Sequence, residues 1–173
     1  AVAPPQKDEF DPVKLTSENI EFILSNTAFQ TYKDNGKIVK LPSLKLPIIM
    51  TCMTGARDGE VCGLRWPDID RTIMGVHIHK AVKKENGILV LGPTKNKKER
   101  WTPLTPGFLE ILDWHKVQQD AHIKLYNAIF GEDSYQDEGY IFAHYDGSPY
   151  NPHYLSDMTP KVLTRIGFQV DAT

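Results

Sequence analysis

TGARDGEVCGLRWPDID, residues 54–70, carries more information than any other stretch of this 173-residue chain. It sets Arg57 just after a Thr-Gly turn and inside an otherwise apolar segment. A guanidinium in such surroundings needs an anionic partner. Glu60 is the local candidate, and the spacing predicts a short helix carrying both residues. Taken alone, such a pair on a helix surface is worth only about 0.2–0.5 kcal/mol. Trp66 and Asp68 follow at a point where a helix is expected to give way to a strand, and they are read as fixing that junction.

Two further segments stand in order behind it. Residues 77–100 read HIHKAVKKENGILVLGPTKNKKER. Val76 and Ile78, then Ile88, Val90 and Leu91, are strand-like apolar positions flanking KKENG, a hairpin turn in which Gly87 takes a positive φ. A second turn is expected at Gly92-Pro93, ahead of Thr94, Lys95, Asn96, Lys97, Lys98, Glu99 and Arg100, after which Trp101 to Leu104 resume an extended run. A lysine cluster on its own reads as a solvated loop. Tyr140, Ile141 and Phe142 then lead into HYDGSPYNPHYLSDMTPKVLTRIGF, with Asp146-Gly147 as a turn and Asn151-Pro152 or Ser156 as a helix start.

Together these segments resemble the tyrosine recombinases of the phage integrase family. In that family a Thr-Gly-x-Arg-x-x-Glu pattern leads into Leu-x-Trp-x-Asp-Ile-Asp, matched here by Thr54, Gly55, Arg57, Glu60, Leu64, Trp66, Asp68, Ile69 and Asp70. A Lys-x-x-Lys-x-Arg run on a hairpin follows, then a Pro-Leu pair and a helix. The resemblance implies site-specific recombination or integration of a mobile element or phage, by DNA strand cleavage and rejoining through a 3′-phosphotyrosyl intermediate, with no cofactor and no metal. Arg57 would grip the scissile phosphate with paired hydrogen bonds. Lys95 would protonate the leaving 5′-oxygen. Thr94, Asn96, Lys97, Lys98 and Arg100 would contact the DNA backbone, and Glu60, Trp66 and Asp68 would support the site. The implied partner is double-stranded DNA, with self-association on it, for a bacterial or phage-encoded protein of the cytoplasm associated with the nucleoid.

The family's second box, His-x-Leu-Arg-His, and its nucleophilic tyrosine have no matching positions here. Tyr32, Tyr126, Tyr135, Tyr140, Tyr145, Tyr150 and Tyr154 all precede the place where the nucleophile belongs. The resemblance therefore implies a flexible lead, residues 1–15, followed by the N-terminal part of a catalytic domain over residues 16–173, inactive by itself. Two readings of other classes compete. One is a non-catalytic DNA-binding protein on a recombinase scaffold; the other is a helical domain unrelated to DNA whose lysine hairpin is a solvated edge guarded against strand pairing.

Composition bounds these readings. With 40% hydrophobic residues the chain can bury one ordinary core. Its formal charge of −2 lacks the overall basic footprint of many DNA binders. The charge is uneven, however: Lys80, Lys83, Lys84, Lys95, Lys97, Lys98 and Arg100 face only Glu85 and Glu99 in that segment, while Glu132, Asp133, Asp137 and Glu138 cluster elsewhere. A local field of that kind steers a polyanion despite the total. Cys52 and Cys62 read as reduced core residues of a cytosolic protein, and the six histidines show no metal-ligand spacing. His77 and His79 are expected on one strand face. No apolar run suggests a membrane span and no signal peptide is evident, while the AVAPPQKDEF start, without methionine, reads as a fragment or processed form.

The expected fold class is α+β, mainly helical, with a small antiparallel sheet between residues about 68 and 104. Thr16 or Ser17 caps a first helix that ends before Lys33. A second helix runs from Leu44 to Thr54 with Gly55 ending it, and Thr105-Pro106 opens a long one with Phe108, Ile111, Leu112, His115, His122, Ile123 and Tyr126 on its inner face. The last lies between Asn151 and Ile166, with Leu155, Met158, Val162 and Ile166 facing the core. Arg57 and Lys95 are expected to open onto one concave face.

Overall fold

A computed structural model describes residues 16–25, 44–95, 97–165 and 167, together with the backbone of 31–34 and 37–40. Thr16 starts the first helix, α1 (Ser17–Ser25), by a reciprocal cap. Its hydroxyl accepts from the Asn19 N–H at 3.2 Å, and the Asn19 side-chain oxygen accepts from the Thr16 N–H at 2.9 Å. Strands β1 (Thr31–Asp34) and β2 (Lys37–Lys40) then pair antiparallel, where the sequence pattern marked only a polar break. Helix α2 (Lys45–Thr54) tolerates Pro47 in its first turn and ends at Gly55, whose left-handed φ of 61° lets its N–H reach the Thr51 carbonyl at 2.9 Å. A short helix, α3 (Asp58–Cys62), follows. Arg57 lies outside it: the residue is extended and caps the helix, because the chain leaving Gly55 must straighten before it can wind again.

Strands β3 (Ile69–Asp70), β4 (Gly75–Ile78) and β7 (Arg100–Pro103) form an antiparallel sheet in the order β3-β4-β7. A hairpin of β5 (Lys80–Glu85) and β6 (Ile88–Pro93) is inserted between β4 and β7. Its tip is Asn86-Gly87, both with positive φ (50° and 86°), as a two-residue hairpin turn requires. The registers reveal how the lysine run is displayed. Ile78 pairs with Arg100 and Lys80 with Pro93, so the segment 94–99 stands opposite the single residue His79. The sequence pattern placed a turn at Gly92-Pro93. Both residues instead complete β6, and the chain turns at Thr94–Lys97, where the Lys97 N–H donates to the Thr94 carbonyl at 2.9 Å.

Helix α4 (Pro106–Phe130) is capped by Thr105, whose hydroxyl accepts from the Phe108 N–H at 3.3 Å, with proline at the first position where no N–H is needed. Phe108, Leu109 and Leu112 are buried, whereas Leu125, Ile129 and Phe130 near its far end are exposed. Helix α5 (Pro152–Arg165) buries Leu155 and Val162 and half-buries Met158; Ile166 lies outside the described residues. The core joins Ile48, Ile49 and Met50 of α2 to Val61 and Leu64 around α3, Val76, Ile78 and Val82 of the strands, and Ile141 and Leu155 beyond. Each such buried aliphatic side chain is worth about 1.5–3 kcal/mol against exposure. Cys62 belongs to this core, but Cys52 does not: it is on the exposed face of α2, a correction to the reading of both as buried.

Candidate active site

The Thr-Gly pair delivers Arg57 by hydrogen bonding. Thr54 is buried, its hydroxyl donates to the Met50 carbonyl at 2.6 Å, and it accepts from the Ala56 N–H at 3.2 Å. The left-handed Gly55 then turns the chain so that Arg57 meets the start of α3. Glu60 caps that start. One of its carboxylate oxygens accepts from the Arg57 backbone N–H at 3.0 Å and the other pairs with the Arg57 guanidinium at 3.3 Å. Glu60 is only 2% exposed while the Arg57 side chain is 61% exposed, so the carboxylate is fixed and the arginine side chain stands largely open to solvent.

Glu60 has a second cation that its own segment does not reveal. Arg100, at the start of β7, donates to the oxygen already shared with the Arg57 N–H, at 2.7 Å. Burial alone would raise the Glu60 carboxyl, but the hydrogen bonds from Arg100 and the Arg57 backbone, with the charges of both guanidinium groups, hold it below the usual carboxylate range. A buried carboxylate stripped of its partner would cost about 3–5 kcal/mol. Sequence reading assigned Arg100 to DNA and Glu60 to orienting the Arg57 guanidinium or capping neighbouring backbone, both of which it does; the contact with Arg100 across forty positions left no local signal.

The lysine loop stands on Thr94. That residue is 4% exposed and its hydroxyl donates to the Lys98 carbonyl at 2.9 Å, so it lies beneath the loop and not on the surface where a DNA contact was expected. Lys95, Lys97 and Lys98 are exposed, and Lys97 has a φ of 52°. Asn96 lies outside the described residues. The loop and Arg57 belong to one connected unit, because α3 packs directly on β5. A Cβ on Gly59 would stand 2.7 Å from the Val82 carbonyl oxygen, and one on Gly63 would stand 3.1 Å from both the Ala81 Cα and a Leu91 methyl. Only glycine allows this approach of helix to hairpin.

Opposite the loop, three rings stack on the sheet. His77 lies 4.5 Å from His79 with their planes 2° apart and 4.7 Å from Trp101, so the two histidines do share a face. Asp68 fixes His79 at 2.9 Å and Glu99 reaches His77 at 3.2 Å, which secures the bend between β4 and β5. Asp68 also accepts from the Arg65 N–H at 2.8 Å. The Trp66 indole donates to Gln119 of α4 at 2.6 Å, and Gln119 donates on to the Tyr140 carbonyl at 3.0 Å. The junction thus extends well past the segment that begins it: the Leu64 carbonyl accepts from the Ile141 N–H at 3.0 Å.

Comparison with known proteins bears on the sequence and the fold. No protein-family model matches the chain. A tyrosine recombinase XerC-like protein of Caldanaerobacter subterraneus subsp. tengcongensis is 27% identical over 161 residues, which cover 87% of this chain and 40% of that protein. Among solved structures, the Tn1549 transposon integrase in complex with circular intermediate DNA superimposes with a TM-score of 0.60 at 16% identity, covering 96% of this chain and 50% of that one. XerA recombinase gives 0.54 at 16% identity, over 91% and 44%. The chain spans half or less of the length of each of these relatives. The chain thus resembles a tyrosine recombinase in sequence and shares its fold with the catalytic region of two solved recombinases.

Proposed function

We propose that this chain forms the N-terminal part of a catalytic domain, residues 16–173, in a protein that carries out site-specific recombination or integration on double-stranded DNA. The observation that carries the reading is the open Arg57 guanidinium held on the buried Glu60, in the same packed unit as the lysine loop. In the reaction a tyrosine hydroxyl attacks the scissile phosphorus, a P–O bond to tyrosine forms, and the bond to the 5′-oxygen breaks. Arg57 stabilises charge on the non-bridging oxygens through two parallel N–H groups, which a planar guanidinium supplies without reorganising. Lys95 gives its proton to the departing 5′-oxygen. Lys97 and Lys98 neutralise backbone phosphates, and Thr94 serves as the footing of their loop. Trp66 and Asp68 keep the junction behind Arg57 in place. The protein would work as a self-associated assembly on DNA at the bacterial nucleoid.

The second arginine, the histidine and the tyrosine of the family pattern have no counterparts among these 173 residues. The isolated chain is therefore expected to bind DNA without cleaving it. The test uses the longer protein and this chain side by side on a nicked duplex carrying the element's junction. The longer protein should give a denaturant-resistant protein–DNA adduct and the chain none. An adduct with the chain would overturn the assignment of its boundaries, and no adduct with either would favour a non-catalytic DNA binder.

A further inference from the structure

We propose that Arg100 is a positioning residue, which holds Arg57 and the lysine loop in one frame through Glu60 and does not contact DNA. The inference rests on the recombinase reading above and concerns how that site stays assembled. Glu60 takes three donors: the Arg100 guanidinium at 2.7 Å, the Arg57 backbone N–H at 3.0 Å and the Arg57 guanidinium at 3.3 Å. Because Arg100 supplies the short contact, Arg57 gives the carboxylate only one long one and keeps its other N–H groups for an external phosphate. With Arg100 in place the Glu60 side chain is only 2% exposed, so its charge is met by these donors and scarcely by water.

Arg100 is also the residue at which the loop 94–99 rejoins the sheet, paired with Ile78. Its grip on α3 therefore fixes the far end of the loop against the element that Arg57 caps. For Arg100 to reach a phosphate it would have to release Glu60 and strand a buried charge. Without Arg100, the carboxylate has only Arg57 to satisfy it, and the guanidinium is drawn inward, away from the phosphate position.

The experiment compares Arg100→Gln, Glu60→Gln and the double variant in the longer protein, with Arg100→Lys as a variant that keeps the charge and the fold. Arg100→Gln should slow cleavage about 10- to 100-fold, the scale of a misplacement near 1 Å. It should leave the salt dependence of DNA binding unchanged; a loss of about one unit of slope would mark a phosphate contact and overturn the proposal. The double variant should cleave faster than Arg100→Gln, because a neutral amide no longer captures Arg57, an outcome that a merely structural role would not produce. A double variant no faster than the single one would also overturn it. In this 173-residue chain, NMR titration of the Glu60 carboxyl should move to higher pH in Arg100→Gln, and an unmoved titration refutes the contact. If the unaltered longer protein forms no DNA adduct, the recombinase reading fails, and the Glu60 titration still decides the Arg100 contact by itself.

Discussion

The two cationic parts of the site are built in opposite ways. Arg57 is over-determined: a buried threonine, a left-handed glycine and a buried carboxylate all fix the residue before its guanidinium reaches the surface. Lys95 stands on an exposed bulge fastened at its base by the buried Thr94 and at its end by Arg100. The contrast matches the two tasks proposed for them. Charge stabilisation rewards a dipole that does not move during the reaction, whereas proton donation needs a group that can follow the departing oxygen.

The largest expected effect falls on the rigid half. In the longer protein Arg57→Ala should lower the cleavage rate by about 100- to 1000-fold, the scale of a lost oxyanion donor, measured by adduct formation under single turnover. Arg57→Lys should recover little of it, because a point charge cannot reproduce two parallel N–H bonds. Lys95→Ala should come next, with a loss of about 100-fold or more on ordinary DNA. A substrate with sulfur in the 5′-bridging position has a leaving group that needs no proton, so it should rescue Lys95→Ala and leave Arg57→Ala impaired. If sulfur rescues neither, Lys95 is not the acid.

The joint between the halves can be broken separately. Gly59→Ala puts a methyl group 2.7 Å from the Val82 carbonyl, so helix and hairpin must part. The expected cost is about 1–3 kcal/mol, read as a lower melting temperature of this chain. An unchanged melting temperature would mean that α3 and β5 are not in close contact in solution. Smaller still, Lys97→Ala and Lys98→Ala should each reduce the salt slope of DNA binding by about one unit while sparing the cleavage step.

The smallest effect is a pH dependence away from both halves. His115 donates to the Ile141 carbonyl at 2.8 Å, and burial holds its pKa below the ordinary histidine value although that carbonyl opposes the shift. The unfolded chain therefore takes up this proton more readily than the folded one. Its contribution to stability is complete above an unfolded value of about 6.5 and falls as the solution is acidified through it. His115→Gln should flatten that part of the stability profile, measured by urea unfolding at a series of pH values. An unchanged slope would place the acid sensitivity elsewhere.

What the sequence disclosed follows from the range of its signals. Caps and turns are local chemistry, so Thr16, Gly55, Thr105 and the Asn86-Gly87 tip were legible from neighbours alone. The apolar spacing of α4 and α5 likewise located most of their inner faces. The Arg57 and Lys95 motifs could be found, but their difference in setting could not. Whether Glu60 serves one cation or two depends on a register that brings residue 100 to residue 60. The β1–β2 hairpin was hidden for a related reason: its polar residues carry little alternation, and its pairing is a backbone property.

The register that expels residues 94–99 has one more consequence. Since only His79 stands across from that segment, residues could be added to it or removed without sliding either flanking pair of strands. The lysine is thus carried on an adjustable spacer attached to an unchanging frame. Its reach can be changed at little cost to the fold, whereas an insertion of the same size between Thr54 and Glu60 would dismantle the cap that presents Arg57.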